Sequence, residues 1–245
     1  MPLRVLSWNV HKCVGGLDRR YDPARTAATI GACAADLILL QEVAVGGSWY
    51  RDDRQIDVLG NLLGIPHRAF FVNVRFGPRR GAYGNAILSK VPLVSATNLD
   101  LTIAGRKARS VLHAEVRVPV HDGQTRAVHL FNLHLGLSER ERREQLRRFL
   151  AAEPFARLHK KTPIVVAGDF NDVWGTLGRQ CLGPAGFTAP QRRLRTFPAY
   201  APMRALDCLY VRGSLDVATL VTVRTKSTRA ASDHLPLLAE LRLRD

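Results

Sequence analysis

A chain of 245 residues, 46% hydrophobic and 23% charged with no compositional break, can bury a sizeable core and is expected to form one domain over 1–245. It has no apolar run near the roughly 20 residues that cross a bilayer and no secretory leader before its first strand pattern, so a soluble, cytoplasmic monomer is expected. A net charge of +15, from 36 Lys plus Arg against 21 Asp plus Glu, favours anionic partners, although an arginine-heavy composition can also reflect coding bias; the four scattered cysteines, Cys13, Cys33, Cys181 and Cys208, form no CxxC pair, exclude a zinc ribbon or disulfide framework, and are expected as buried, reduced thiols.

In chain order, Val-, Leu- and Ile-rich segments predict strands over 3–10, 37–42, 69–74, 83–88, 92–100, 109–118, 126–134, 163–168, 206–211, 217–223 and 235–241. Helices are fewer. Asp22 followed by Pro23 predicts a capped helix over about 23–35 with Ala27, Ile30 and Ala34 on its apolar face, and a second helix is expected near 53–63. In "SERE", Ser138 and Glu141 form a capping-box pattern that opens a helix to about Leu150, with Leu146 and Phe149 or Leu150 facing inward. The other face of that helix carries Arg140, Arg142, Arg143, Arg147 and Arg148, which could lie along a phosphate backbone or simply be solvated. Loops are expected at 75–82 ("RFGPRRGA") and over 183–205, both basic, the second through Arg192, Arg193 and Arg195. Many strands and few helices in mixed order suggest two β-sheets packed face to face with helices outside.

Polar groups recur where apolar strands stop. "VVAGDFND" places Asp169, Asn171 and Asp172 just past a buried run, either as ligands held over a rigid strand edge or as an Asx turn. In "LRVLSWNVHK", Ser7, Asn9 and His11 share one face. "LILLQEV" closes on Gln41 and Glu42, and a carboxylate at the rim of a buried sheet must be solvated, paired or bound to a cation. "VHLFNLHLG" puts Asn132 and His134 on one face; "RALDCLYV" carries Asp207, and "ASDHLPL" sets Asp233 beside His234. Each alone has a structural explanation, such as a hydrogen-bonded core histidine or a turn. Together they supply the oxygen and imidazole groups of metal-assisted phosphoryl chemistry, in which a hard divalent ion takes a few carboxylates and completes its shell with water and phosphate. No zinc-spaced Cys or His set competes.

The ordered series "SWNVH", "LQEV", "GNAILS", "NLHLG", "GDFND", "RTFP" with "LDCLYV", and "SDHLPL" resembles the endonuclease/exonuclease/phosphatase superfamily over essentially the whole chain, and more narrowly a branch of small bacterial, deoxyribonuclease-like members. The resemblance implies an α/β four-layer sandwich: two central mixed β-sheets flanked by helices, with the site at one edge of the sheets. It implies magnesium as cofactor, with manganese as a substitute, held by Glu42 with Asn9 and Asp233. Asp169 would orient or deprotonate the attacking water, and Asn171 would hold the phosphate or that water. His234 would contact the scissile phosphate with Asp207 fixing its tautomer, and His134 or a water on the metal would protonate the leaving oxygen. His11 stands where abasic-site endonucleases carry an aspartate, which weakens abasic-site repair; it touches substrate or is structural. Further substrate-binding candidates are Asn85, Arg109, Arg192 and Arg195.

The implied activity is metal-dependent phosphodiester hydrolysis by in-line water attack, with nucleic acid as the favoured substrate. A phospholipid head group or other small phosphate ester is the alternative, in which a loop with Trp49 and Tyr50 would touch a bilayer. A catalytically silent binding module is the third reading.

Overall fold

The structure, a computed structural model, describes residues 2–120, 123–188 and 192–244. Its elements run β1 (Leu3–Asn9), α1 (Pro23–Ala32), β2 (Leu37–Val45), α2 (Gln55–Leu63), β3 (His67–Gly77), β4 (Gly81–Ser89), β5 (Leu93–Asp100) and β6 (Ser110–Pro119). There follow β7 (Thr125–His134), α3 (Glu139–Ala151), β8 (Ile164–Asp169), β9 (Asp207–Arg212), β10 (Leu215–Thr222), α4 (Lys226–Ala231) and β11 (Leu237–Leu243). The strands form two mixed sheets, six-stranded β10-β11-β1-β2-β4-β3 and five-stranded β5-β6-β7-β8-β9.

Period-two alternation sorts the side chains into layers. Val5, Leu39, Leu112, Leu130, Val165 and Leu209 meet between the sheets. Their neighbours Leu6, Ile38 and Leu40 point the other way, onto Ala27 and Ile30 of α1 and Ile56 and Leu59 of α2. On the far side, Phe131, Leu133 and Val166 pack beneath Leu146 and Phe149 of α3. Each such side chain is worth roughly 1.5–3 kcal/mol when fully buried, so the alternation itself drives the four-layer stacking.

All eleven expected strands form, and most helix signals are read by the chain as anticipated. Asp22 Oδ1 accepts from the Arg25 amide at 2.9 Å. The helix stops at Ala32 rather than 35, because Ala34 takes a left-handed φ of 49° and is exposed rather than on the apolar face. Ser138 accepts from the Glu141 amide at 3.2 Å, but the Glu141 carboxylate turns inward to Gln145 instead of closing the box. The arginines of α3 are mostly committed locally: Arg143 to Glu139, Arg147 and Arg148 to Glu144, and buried Arg142 to the Leu137 carbonyl. This is a solvated, self-paired face. The expected loop at 75–82 shrinks to a turn at 78–80, since β3 and β4 pair as a hairpin down to Gly77 and Gly81. Helix α4 was not anticipated; its sequence, KSTRAA, is too short for a periodic apolar signal, and Thr225 and Thr228 close a capping box at its start. Cys13 and Cys33 are buried as expected, whereas Cys181 and Cys208 are only half-buried; all four are free. Among the described residues no helix is long and apolar enough to cross a membrane.

Candidate active site

Three strand ends bring chemistry into one row. β7 and β8 are parallel and β8 and β9 antiparallel, with His134 opposite Asp169 and Asp169 opposite Asp207. Adjacent strands lie about 4.8 Å apart, so the three side chains on the inter-sheet face become neighbours. The close approach requires Gly168, which has φ +145° and where a Cβ would sit 1.9 Å from the Leu133 carbonyl oxygen. The glycine of "GDFND" therefore serves the backbone, and the acid after it is free to serve the site.

The opposite sheet closes the row. Asn9, at the end of β1, donates from Nδ2 to Asp169 Oδ2 at 3.1 Å, and its Oδ1 accepts from the His11 amide at 3.0 Å. His234 precedes β11 and shares a hydrogen bond of 2.8 Å between Nδ1 and Asp207 Oδ2. Its Nε2 lies 3.9 Å from Asp169 Oδ2, and His134 Nε2 lies 3.4 Å from the same oxygen. Asp169 Oδ1 accepts from the Asn171 backbone N–H at 3.0 Å, and Asn171, at φ 49°, donates from its side-chain Nδ2 to the Leu135 carbonyl at 2.9 Å. Asp172, by contrast, caps the Gly175 and Leu177 amides, so in this stretch the turn reading holds for Asp172 and the Asx contact of Asp169 coexists with its place in the row.

Burial and charge tune these groups in different directions. Burial alone would discharge His234, but the adjoining Asp207 carboxylate outweighs it and raises the imidazole to about 10. Burial raises Asp169 to about 6, against the opposing pull of His234. His134 is held well below the usual histidine range by burial and by the Arg109 guanidinium.

Glu42 reaches the site through a bulge. The β2–β4 register slips between Leu40 and Val43, and Val43 returns to the helix-covered face, so Glu42, at φ 57°, escapes the alternation that would send it outward. It faces a cleft of about 760 Å³ that also receives His11, Lys12, Tyr83, Lys107 and Asp233. Lys12 pairs with Glu42 and, despite burial, keeps that carboxyl well below its ordinary range. Lys12 was missed by sequence reasoning. It sits in a left-handed turn in which His11, Lys12 and Cys13 have φ values of 46°, 59° and 57°, a strained conformation that nothing in "HKC" announces.

The other expected residues divide. His11 bonds through Nδ1 to the Val14 carbonyl at 3.1 Å while lying 3.9 Å from Asp233 Oδ1, so it holds its own turn and also lines the cleft. Asn85 is buried between the sheets, donating to the Ser110 and Asn132 carbonyls, and Asn132 in turn donates to the Leu40 and Ala86 carbonyls and accepts from Gln41. These amides tie the two sheets together beneath the site. Arg109 is buried with Nε unpartnered, its charge felt by both His134 and Tyr83. Arg192 lies apart, lining a groove along β10 with Thr188 and Leu194, and Arg195 is exposed on the loop. Arg193 is spent on the Asp172 and Ala205 carbonyls. Tyr50 is buried, leaving Trp49 as the exposed member of the expected interfacial pair.

Residues 6–234 match the sequence profile of the Endonuclease/Exonuclease/phosphatase family. YbhP of Escherichia coli K12 is 32% identical over 255 aligned positions, covering 98% of this chain and 96% of that protein. The endonuclease/exonuclease/phosphatase of Beutenbergia cavernae superposes with a TM-score of 0.81 at 26% identity, covering 99% of this chain and 72% of that one. The mannosyl-6-phosphatase of Bacteroides thetaiotaomicron shares the fold, with a TM-score of 0.74 at 15% identity over 98% of this chain and all of its own.

Proposed function

Because the chain belongs to the Endonuclease/Exonuclease/phosphatase family, hydrolases of phosphoester bonds, we propose that it is a magnesium-dependent phosphodiester hydrolase acting on nucleic acid. The observation that carries this reading is the buried Asp207–His234 pair aimed at Asp169. With Nδ1 committed to Asp207, His234 presents Nε2–H as a cationic donor to the phosphoryl oxygens, where negative charge builds in the transition state. A carboxylate raised to about 6 is a competent base near neutrality, and the amides of Asn9 and Asn171 fix its two oxygens, so Asp169 orients and deprotonates the attacking water. His134, held neutral, supports Asp169 through Nε2 rather than acting as a strong acid toward the leaving oxygen.

The donor set fits a hard divalent cation. Asp169, Asp207 and His234 bring ligand atoms within 4.8 Å of one another and are one group that could hold it, although His234 Nδ1 is already committed to Asp207. Glu42 offers a second: its half-buried carboxylate already draws the Lys12 ammonium, Asp233 lines the same cleft, and Asn9 Oδ1 would add an oxygen donor. Magnesium held by Glu42, Asn9 and Asp233, or manganese in its place, would supply Lewis-acid charge to the phosphoryl group.

The test is purified protein with supercoiled plasmid, single-stranded RNA and a chromogenic phosphodiester, each with magnesium, manganese or EDTA, beside His234→Ala. Cleavage of nucleic acid that requires both metal and His234 is expected. Turnover of the small diester with plasmid and RNA intact would keep the chemistry and reject the nuclease.

A further inference from the structure

One wall of the cleft interleaves cations with aromatic rings. The Arg80 guanidinium stands 4.8 Å from the Trp49 ring centroid and 5.9 Å from that of Phe76; the Lys107 ammonium stands 6.0 Å from Phe76 and 5.2 Å from Tyr83; Lys12 stands 4.9 Å from Tyr83 on its other contact, beside Glu42. Phe76, Arg80 and Tyr83 come from the β3–β4 hairpin, whereas Lys12, Trp49 and Lys107 come from three other parts of the chain. Trp49 is 55% exposed and Phe76 47%, large apolar surfaces left in water within reach of the site.

The wall is built rather than floppy. The turn bearing Trp49 is stitched to the β3–β4 hairpin turn bearing Arg80, through the Ser48 amide to the Pro78 carbonyl at 3.2 Å and the Trp49 amide to the Arg79 carbonyl at 3.1 Å. Gly47 permits this contact: it has φ +92°, and a Cβ there would lie 2.5 Å from the Gly81 nitrogen. Trp49 and Phe76 are thus both held against one guanidinium, Phe76 also packing on Tyr83 at 5.6 Å between ring centroids, and each ring keeps about half of its surface exposed.

A positively charged track lined with exposed rings is the arrangement that binds unpaired bases: phosphates follow the cations while base faces stack on the aromatics. A duplex cannot use it, because its bases are stacked on one another and its grooves offer only edges. A sugar phosphate or a lipid head group would use the cations but offers no planar π-face to stack on the rings.

Resting on the hydrolase reading above, we propose that Trp49, Phe76 and Arg80 form a base-stacking subsite, with Lys12 and Lys107 holding flanking phosphate, so that the substrate is single-stranded nucleic acid or an unpaired strand end. The scissile phosphate would lie toward Asp169 and His234, and the neighbouring nucleotide against the wall.

Equilibrium binding in EDTA separates this from turnover. Fluorescence anisotropy with a labelled ten-nucleotide single strand, the matched duplex, and vesicles of phosphatidylcholine with phosphatidylserine would be compared for the native chain, Trp49→Ala/Phe76→Ala and Trp49→Phe. The single strand is expected to bind more tightly than the duplex. The double variant should weaken it roughly tenfold or more, from the stacking lost per base, while Trp49→Phe keeps most of the affinity. Because the truncated rings are exposed, the variants should melt like the native chain. Equal single-strand affinity in the double variant, or equal binding of strand and duplex, would overturn the subsite even if the phosphodiesterase survives. Vesicle binding that depends on Trp49, with no oligonucleotide binding, would assign the wall to a membrane instead. Conversely, single-strand binding that needs the rings, in a protein that never hydrolyses a diester, would retain the subsite and reject the chemistry.

Discussion

Two buried histidine pairs on the same sandwich behave in opposite ways. His234 shares its Nδ1 hydrogen bond with the Asp207 carboxylate at 2.8 Å; His113 shares its Nε2 hydrogen bond with His129 Nδ1 at 3.0 Å, under Phe131 and the α3 layer. Burial alone pushes both imidazoles toward the neutral form. At His113 nothing opposes it, the neighbouring His129 adds to it, and the value falls to about 4. At His234 the carboxylate wins, and the value rises to about 10. A buried imidazole becomes an anion-binding group only where the fold delivers an acid to it, and otherwise it packs as a polar ring.

The largest effect should come from removing the charged pair's chemistry. His234→Ala or Asp169→Ala is expected to lower the turnover number by about 10²–10⁴-fold while the thermal transition stays cooperative. A near-native rate in either purified variant would remove the acid–base roles assigned to them.

Asp207→Asn sharpens the comparison, since it keeps the shape and deletes the charge. The His234 ring should then titrate far below 10 by NMR, with a rate loss of about 10²-fold or more at pH 8. An unchanged ring titration would mean that some other group holds its proton.

The pH dependence of stability should carry opposite signs at the two pairs. For His234, with a folded value of about 10 above the ordinary 6.5, the stabilisation is fully present below pH 6.5 and is lost as pH rises through about 10. For His113, with a folded value of about 4, charging is resisted by the fold, so stability is lost as pH falls from 6.5 through about 4. Melting curves of Asp207→Asn should therefore lose alkaline sensitivity, and those of His113→Leu acid sensitivity; the same slope as the native chain in either limb would contradict the assignment. The smallest effect is on rate: His113→Leu should leave hydrolysis within about twofold of native, as expected for a packing substitution away from the site.

The strand pattern, and with it the layered architecture, was legible in the sequence because alternation of apolar residues is a local signal with a fixed period. The polar endings at Asn9, His134, Asp169, Asp207 and His234 were legible for the same reason: they interrupt that pattern at its edge. What these residues face was not. His134, Asp169 and Asp207 become one row only because β7, β8 and β9 are adjacent in register, and Asp207 meets His234 across 27 positions and two sheets. Glu42 needed a bulge to enter the cleft, Lys12 a left-handed turn, and the Trp49–Arg80–Phe76 wall the docking of two turns from separate strands. Asn85 and Asn132 look like site residues in the sequence and are spent holding the sheets together. Periodicity and strand endings are set by neighbours along the chain. Protonation, ion pairing and ring exposure are set by neighbours through space, and only the packed sheets decide those.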